Sequence, residues 1–354
     1  MREPTLLDHL MKVSVIVPTY NNEATIGAAL DSVLAQRFEA PFEVIVVNDG
    51  STDGTRAVLE KFGERIRVID QENRGIAAAR NAAIAVSTGE YIAPLDGDDT
   101  WTDDKLQKTL EVLDANPACV AVFSNATILD DAGRVISASL VAPGFDHSPT
   151  LDEMLGRRPW PITSGTLVVR REAILAIGGF PEEFGKDYGA EDLIAFLLLR
   201  ERGEIKFVAE NLTRYRLPTF EQRVEKYLRP LEWAGKSRGE PPEPEHYFRA
   251  NRLWAKIVIE RYGARGRKLA DFAIDQMARE YVMIGMSAMH RGDGETARRF
   301  YTASLRYRPL RLKTWLRLGW AMLPGEVSQR LTPMLATRLR RSLSGPPFLE
   351  ERPQ

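Results

Sequence analysis

Four short β-branched or aliphatic runs, each closed by a polar turn and separated by a helical stretch, fill the first hundred residues: Val13–Val17, Glu43–Val47, Ile66–Ile69 and Tyr91–Leu95. Between them the apolar spacing predicts helices over Ala24–Gln36, from Thr52 or Asp53 to about Phe62, and over Gly75–Val86. The runs are mostly continuous apolar rather than alternating, as in strands covered on both faces. Strands alternating with helices at this interval predict an α/β fold with a mostly parallel sheet and helices on its faces.

After Leu95 the pattern loosens. A helix is expected over Lys105–Asn116, a strand at Val120–Phe123, loops and a hairpin over Asp130–Thr150, and a strand at Gly165–Val169. Helices over Arg171–Ile177 and Glu191–Arg202 and a last strand at Ile205–Val208 follow. The proline-rich Gly239–Pro244 (GEPPEP) marks a boundary. Beyond it the spacing predicts helices over Tyr247–Tyr262, Lys268–His290, Gly294–Arg306 and Leu310–Met322. The later pairs resemble a tetratricopeptide hairpin, too few units for a solenoid. The expected organisation is an N-terminal lead at 1–11, the α/β domain at 12–238, a helical extension at 239–341 and a disordered tail at 342–354.

Forty-eight basic against 49 acidic side chains exclude a uniformly basic nucleic-acid binder. A single cysteine, Cys119, and four scattered histidines exclude a disulfide framework and a cysteine or histidine metal cluster. No apolar run reaches the ~18 residues of a spanning helix, and residues 1–10 lack the signal-peptide pattern, so a cytoplasmic location is expected. The charge is uneven: Arg298 to Arg341 holds eleven basic residues opposed only by Glu326. That stretch is either a solvated helical face or a contact for anionic lipid or an acidic partner. On its helix Leu312, Trp315, Leu316, Gly319 and Trp320 share a side, which suits a membrane interface or packing on the preceding hairpin.

Ligands of an open parallel sheet bind beyond the carboxyl ends of its strands. Here those ends read Pro18-Thr19-Tyr20-Asn21-Asn22, Asn48-Asp49-Gly50-Ser51 and Asp96-Gly97-Asp98-Asp99. Neither a GxGxxG nor a GxxxxGK[ST] loop is present, which counts against a Rossmann dinucleotide site and a P-loop. Three carboxylates in four positions repel one another, and a hard divalent cation relieves the conflict. The competing reading is a surface turn whose carboxylates cap the helix at Lys105. Asp49 suits a base or ribose contact, or an Asp-Gly turn. Glu191-Asp192 suits either catalysis or an acidic first helical turn.

VSVIVPTYN (13–21), VIVVNDGSTDGT (44–55), NRGIAAARN (73–81), GEYIAPLDGDD (89–99), GGF (178–180) and AEDL (190–193) occur in that order. As an ordered set over about Lys12 to Arg216 they resemble the family 2 inverting glycosyltransferases of GT-A fold. The resemblance implies transfer of one sugar, hexosyltransferase-type, from a nucleoside-diphosphate sugar, with UDP favoured, to a hydroxyl of a glycan or lipid-linked acceptor. It implies Mn²⁺ or Mg²⁺ as cofactor and a role in polysaccharide, lipopolysaccharide or other glycoconjugate assembly. The basic C-terminal helices add the expectation of a peripheral contact with an anionic membrane surface at its inner face. Residue by residue, Pro18, Thr19 and Asn21 match the first nucleotide loop and Asp49 the base-reading carboxylate. Asn73, Gly75, Arg80 and Asn81 match the segment beside base and pyrophosphate. Asp98 matches the metal ligand, Asp96 the acid nearer the ribose and metal, and Asp99 a supporting acid. Asp192 matches the general base, with Glu191 beside it. Trp160, Thr163 and Ser164 match the acceptor side, Trp160 either stacking on a sugar or packing in the core. Tyr215-Arg216-Leu217-Pro218 lacks the metal-binding histidine of many relatives, and the Gln-x-x-Arg-Trp element of processive synthases is missing. A sugar nucleotidyltransferase and a non-catalytic helical scaffold are the alternatives from other classes. The first usually carries a glycine-rich, lysine-bearing first loop, and the second predicts loss of acids that are all present.

Overall fold

The computed structural model describes residues 11–141, 147–156, 163–185, 191–217 and 249–322. Trp160, the GEPPEP break, the 342–354 tail and nearly all of the 1–11 lead lie outside the described residues. The chain divides into two compact units, Met1–Pro218 and Thr219–Gln354.

The first unit runs β1 (Val13–Thr19), α1 (Ile26–Leu34), β2 (Phe42–Asn48), α2 (Thr55–Glu60), β3 (Arg67–Asp70), α3 (Ile76–Val86) and β4 (Tyr91–Pro94). It continues with β5 (Thr100–Trp101), α4 (Lys105–Asp114), β6 (Cys119–Leu129), β7 (Val135–Ser137), α5 (Leu151–Met154), β8 (Leu167–Arg170), α6 (Arg171–Ala176), α7 (Glu191–Arg202) and β9 (Glu204–Arg216). Strand order is β3-β2-β1-β4-β8-β6-β9-β5, with β7 on β6. The alternating first hundred residues build the parallel part, in which Val13 pairs with Phe42 and Tyr91, and Ile45 with Arg67. Thr19, Asn48, Asp70 and Pro94 therefore end on one edge of the sheet, where a ligand crevice belongs.

The second half makes the sheet mixed. β8 runs antiparallel to β4 and β6, and β9 runs parallel to β6 and antiparallel to β5. β9 extends well beyond the expected end at Val208. Its apolar pattern lapses at the exposed Ala209, Glu210 and Asn211, where pairing with β6 shifts register, and resumes at buried Leu212 and Thr213. β6 likewise outruns its expected end because its polar residues are satisfied inside. Asn125 Oδ1 accepts from the backbone of Ala126, Leu140 and Val141. Fully buried Val13, Val15 and Val17 of β1 pack with Ile26, Leu30 and Val33 of α1 and Leu106, Leu110 and Leu113 of α4.

The second unit is helical: α8 (Arg249–Tyr262), α9 (Arg267–His290), α10 (Gly294–Tyr307) and α11 (Leu312–Ala321). Met277, Tyr281 and Ile284 of α9 pack on Phe300 and Ala303 of α10. Asp293 caps α10 by accepting from Thr296 N at 3.0 Å. Among the described residues no helix is long and apolar enough to cross a membrane.

Candidate active site

β1 carries Pro18 and Thr19, both buried, to the carboxyl edge. The Thr19 carbonyl accepts from Asp49 N at 2.9 Å, and its hydroxyl donates to Asn22 Oδ1 at 3.0 Å. Asn21 adopts the left-handed region, φ 53°, which asparagine tolerates better than most residues. Its N–H donates to Ser51 Oγ at 3.0 Å and its Oδ1 accepts from Thr52 N at 2.8 Å, so the loops after β1 and β2 hold each other.

The buried Asp49 carboxylate gathers the segment that leads into α3. Oδ1 accepts from Gln71 Nε2 at 2.7 Å and Arg74 N at 2.9 Å, and Oδ2 from Gly75 N at 2.9 Å. Gly75 sits at φ 96°. Gly50 sits at φ 75°, and a Cβ there would stand 2.8 Å from Asn73 N. Both positions require glycine. Asn73 Oδ1 is buried with no hydrogen-bond partner among the described residues.

Arg80, on α3, is the cation at the centre. Its Nη2 donates to Asp96 Oδ1 at 2.7 Å and its Nη1 to Glu191 Oε1 at 2.8 Å, joining the end of β4 to the start of α7. The guanidinium lies 5.1 Å from the Phe180 ring centroid. Burial opposes its charge, yet Asp96 and Glu191 outweigh that and raise its pKa. Asn81 faces elsewhere. Its amide donates to Phe180 O at 2.8 Å and Glu182 Oε1 at 2.9 Å, and its oxygen accepts from Phe180 N at 2.8 Å, stapling the GGF turn to α3.

Burial and the neighbouring Asp96 push the Asp98 carboxyl up to about 6. Burial, Asp98 and Asp96 raise Asp99 well above the usual range. Asp99 Oδ1 accepts from Arg216 N at 2.8 Å, and Arg216 Nε donates to Asp98 O at 3.2 Å. Burial and Glu191 push Asp192 up to about 7, with Arg80 pulling it the other way. The half-buried Tyr215 phenol is raised by desolvation and then by Asp99, Asp192, Asp96 and Asp98 together, so these four carboxylates share one neighbourhood. Such crowding of negative charge fits a bound cation. Among the described residues, however, no group of three His, Cys, Asp or Glu is arranged to hold one. The protein's own donor set is therefore partial.

Thr163 and Ser164 precede β8. Their hydroxyl oxygens are buried and find no partner among the described residues, as is true of Asp99 Oδ2. A Cβ at Gly165 would lie 3.0 Å from that Asp99 oxygen. Gly165 O accepts from Trp101 Nε1 at 2.9 Å and Thr213 Oγ1 at 3.0 Å, and Thr166 O from Lys105 Nζ at 3.0 Å. Burial brings the Lys105 ammonium down to about 7. Lys105 and Trp101 escaped sequence reasoning, because they read as ordinary helix and loop positions. Tyr215 and Arg216 were noted only for the histidine missing after them, and Phe180 lay inside a quoted motif.

Residues 14–176 match the family model described as Glycosyl transferase family 2. An uncharacterised glycosyltransferase of Nostoc sp. is 35% identical over 214 residues, 58% of this chain and 65% of that protein. Bacillus subtilis TuaG, named as a candidate teichuronic acid biosynthesis glycosyltransferase, is 36% identical over 210 residues, 58% of this chain and 79% of that protein. The match spans only 33% of an uncharacterised glycosyltransferase of Rickettsia felis. Among solved structures, residues 1–349 of S. aureus TarS in complex with UDP-GlcNAc superpose with a TM-score of 0.54 at 21% identity, covering 93% of this chain and 92% of that one. That likeness shows the fold, the GT-A arrangement with helices following it. On its motifs, and on its match to most of TuaG, the chain belongs to glycosyl transferase family 2.

Proposed function

We propose that the chain transfers a single sugar, with inversion, from a nucleoside-diphosphate sugar to a hydroxyl of a glycan or lipid-linked acceptor. The observation that carries this is the pair of hydrogen bonds that the Arg80 guanidinium donates to Asp96 and Glu191, which joins the donor-side acid to the start of the Glu191-Asp192 helix. The UDP-GlcNAc complex of TarS supports a UDP-sugar donor, and the name of TuaG supports an acceptor in a polysaccharide of the teichuronic acid kind.

In this reading Pro18, Thr19, Asn21, Asp49, Asn73 and Gly75 frame the nucleoside, with Asp49 reading the base while it holds the Arg74-Gly75 backbone. Asp96 faces the ribose. Asp98, with Asp96 beside it, would hold Mg²⁺ or Mn²⁺, and the cation would supply positive charge beside the leaving group. Arg80 acts from beneath as a clamp on Asp96 and Glu191, and Asn81 as a staple of the GGF turn. Thr163 and Ser164 lie on the acceptor side, with Trp160 beside them in sequence.

Asp192 takes the proton from the acceptor hydroxyl. The hydroxyl oxygen then bonds to the anomeric carbon on the face opposite the diphosphate, and the bond from that carbon to the diphosphate oxygen breaks. A carboxyl near pH 7 is well matched to that duty. One base with no second nucleophile gives inversion in one displacement. Incubation with a panel of nucleotide sugars and Mn²⁺ tests the reading. Release of nucleoside diphosphate from one of them, lost in Asp192→Asn, is expected. Release of inorganic diphosphate from a sugar phosphate and nucleoside triphosphate would instead make it a nucleotidyltransferase.

A further inference from the structure

The last described helix is built inside out. Thr314, Leu318 and Ala321 of α11 are buried, and Leu318 and Ala321 pack with Ala297, Tyr301 and Leu305 of α10. That inward face also takes Trp320, which is half-buried against the same cluster rather than on the side of Leu312, and Ala321 O accepts from Arg298 Nη1 at 2.9 Å. Other large apolar residues point the other way. Leu312 is 71% exposed, Trp315 51% and Leu316 68%, flanked by Leu310 at 96% and Met322 at 66%. Leu312, Trp315, Leu316 and Gly319 fall at i, i+3, i+4 and i+7, one continuous stripe of the helix. Single exposed leucines are ordinary. Here, half of the ten exposed large hydrophobics of the described residues lie within 310–322. The Trp315 indole N–H donates to Pro309 O at 2.8 Å, so the outward ring carries no unpaired donor.

Charge selects the occupant. From Thr296 to Gly325 the chain has seven basic residues and no acidic one. Lys313 is exposed beside the stripe, with Arg317 one turn further on the same flank. A second copy meeting this face about a two-fold axis would set like charges against each other. An anionic bilayer offers both things the face lacks, apolar depth for the stripe and negative headgroups for its rim. We infer that α11 is a peripheral anchor that lays Leu312, Trp315 and Leu316 into the interface of an anionic membrane, with Lys313 and Arg317 on the headgroups.

Sedimentation of the full chain with phosphatidylcholine vesicles, with and without phosphatidylglycerol, tests this. The anionic vesicles are expected to bind at least about tenfold better. Trp315→Ser with Leu316→Ser should lower that binding about tenfold or more. Lys313→Gln with Arg317→Gln should lower it by a similar factor and flatten its dependence on salt. The second pair carries the test if the first fails to fold: Lys313 is exposed, and Arg317, although its charge is felt at Tyr301 of α10, is outside the apolar contact between the helices. Equal binding to neutral and anionic vesicles, or unchanged binding in both variants, overturns the anchor. So does a wild-type oligomer that either variant converts to monomer, because the stripe then meets another copy.

Discussion

Arg80 Nη1 donates to Glu191 Oε1 at 2.8 Å, inside the fold and 111 positions away along the chain. The second arm of the same guanidinium reaches Asp96 at 2.7 Å. A buried cation shared by two carboxylates ties the donor side of the site to the helix that begins with the proposed base. Its loss should be felt in stability before chemistry. Arg80→Met leaves two acids without their counter-charge, at a cost of about 3–5 kcal/mol. Thermal denaturation should show a fall of roughly 10 °C. Adding Glu191→Gln should recover part of it, and a double variant no more stable than Arg80→Met would mean that the pair is not coupled.

Asp192 makes the opposite prediction. Its carboxyl titrates near 7 in the folded chain but at about 3.9 when unfolded, so between those pH values the native state holds the extra proton. Stability contributed by this group therefore falls as pH rises from 4 to 7. Asp192→Asn removes the buried charge. Its melting temperature should exceed that of the wild type at pH 8, by about 1–3 kcal/mol in free energy, with the gain shrinking toward pH 5. Transfer should show an acidic limb with a midpoint near 7 in the wild type and be lost in the variant at every pH.

The turn before β8 is held by its own carbonyls, Gly165 O accepting from the side chains of Trp101 and Thr213 and Thr166 O from Lys105, with the Asp99 carboxylate against Gly165. Gly165→Ala puts a methyl 3.0 Å from Asp99 Oδ2. The contact should cost about 1–3 kcal/mol and displace Thr163 and Ser164. Acceptor KM should rise while UDP affinity, measured by calorimetry, stays within about twofold. Equal losses of both would place the turn on the donor side instead.

The parallel half of the sheet was legible because β1, β2 and β4 are mostly apolar and buried, and because β1, β2 and β3 are each followed by a helix. The acids at the end of β4 were legible because an apolar run breaks there into Asp96-Gly97-Asp98-Asp99, although Asp99 is buried rather than at the surface. The far half of β9 was hidden by Ala209–Asn211, whose exposure erases the pattern although hydrogen bonding continues. Arg80 was legible as a site residue but not as a clamp. Its partners lie 16 and 111 positions away, and no local spacing encodes that meeting. Asn81 reads as a site residue from its motif, whereas its amide is spent on Phe180 and Glu182. Lys105 gave no signal at all, since burial alone makes it unusual.

The central claim is that Asp98 helps to hold a nucleoside diphosphate through a divalent cation while Asp192 acts across from it on the acceptor. Isothermal titration of UDP into the wild type, Asp98→Asn and Asp192→Asn, each with and without Mn²⁺, separates the two roles. The account predicts that Mn²⁺ tightens UDP binding at least about tenfold in the wild type and in Asp192→Asn, and not in Asp98→Asn. Equal tightening in Asp98→Asn would contradict it.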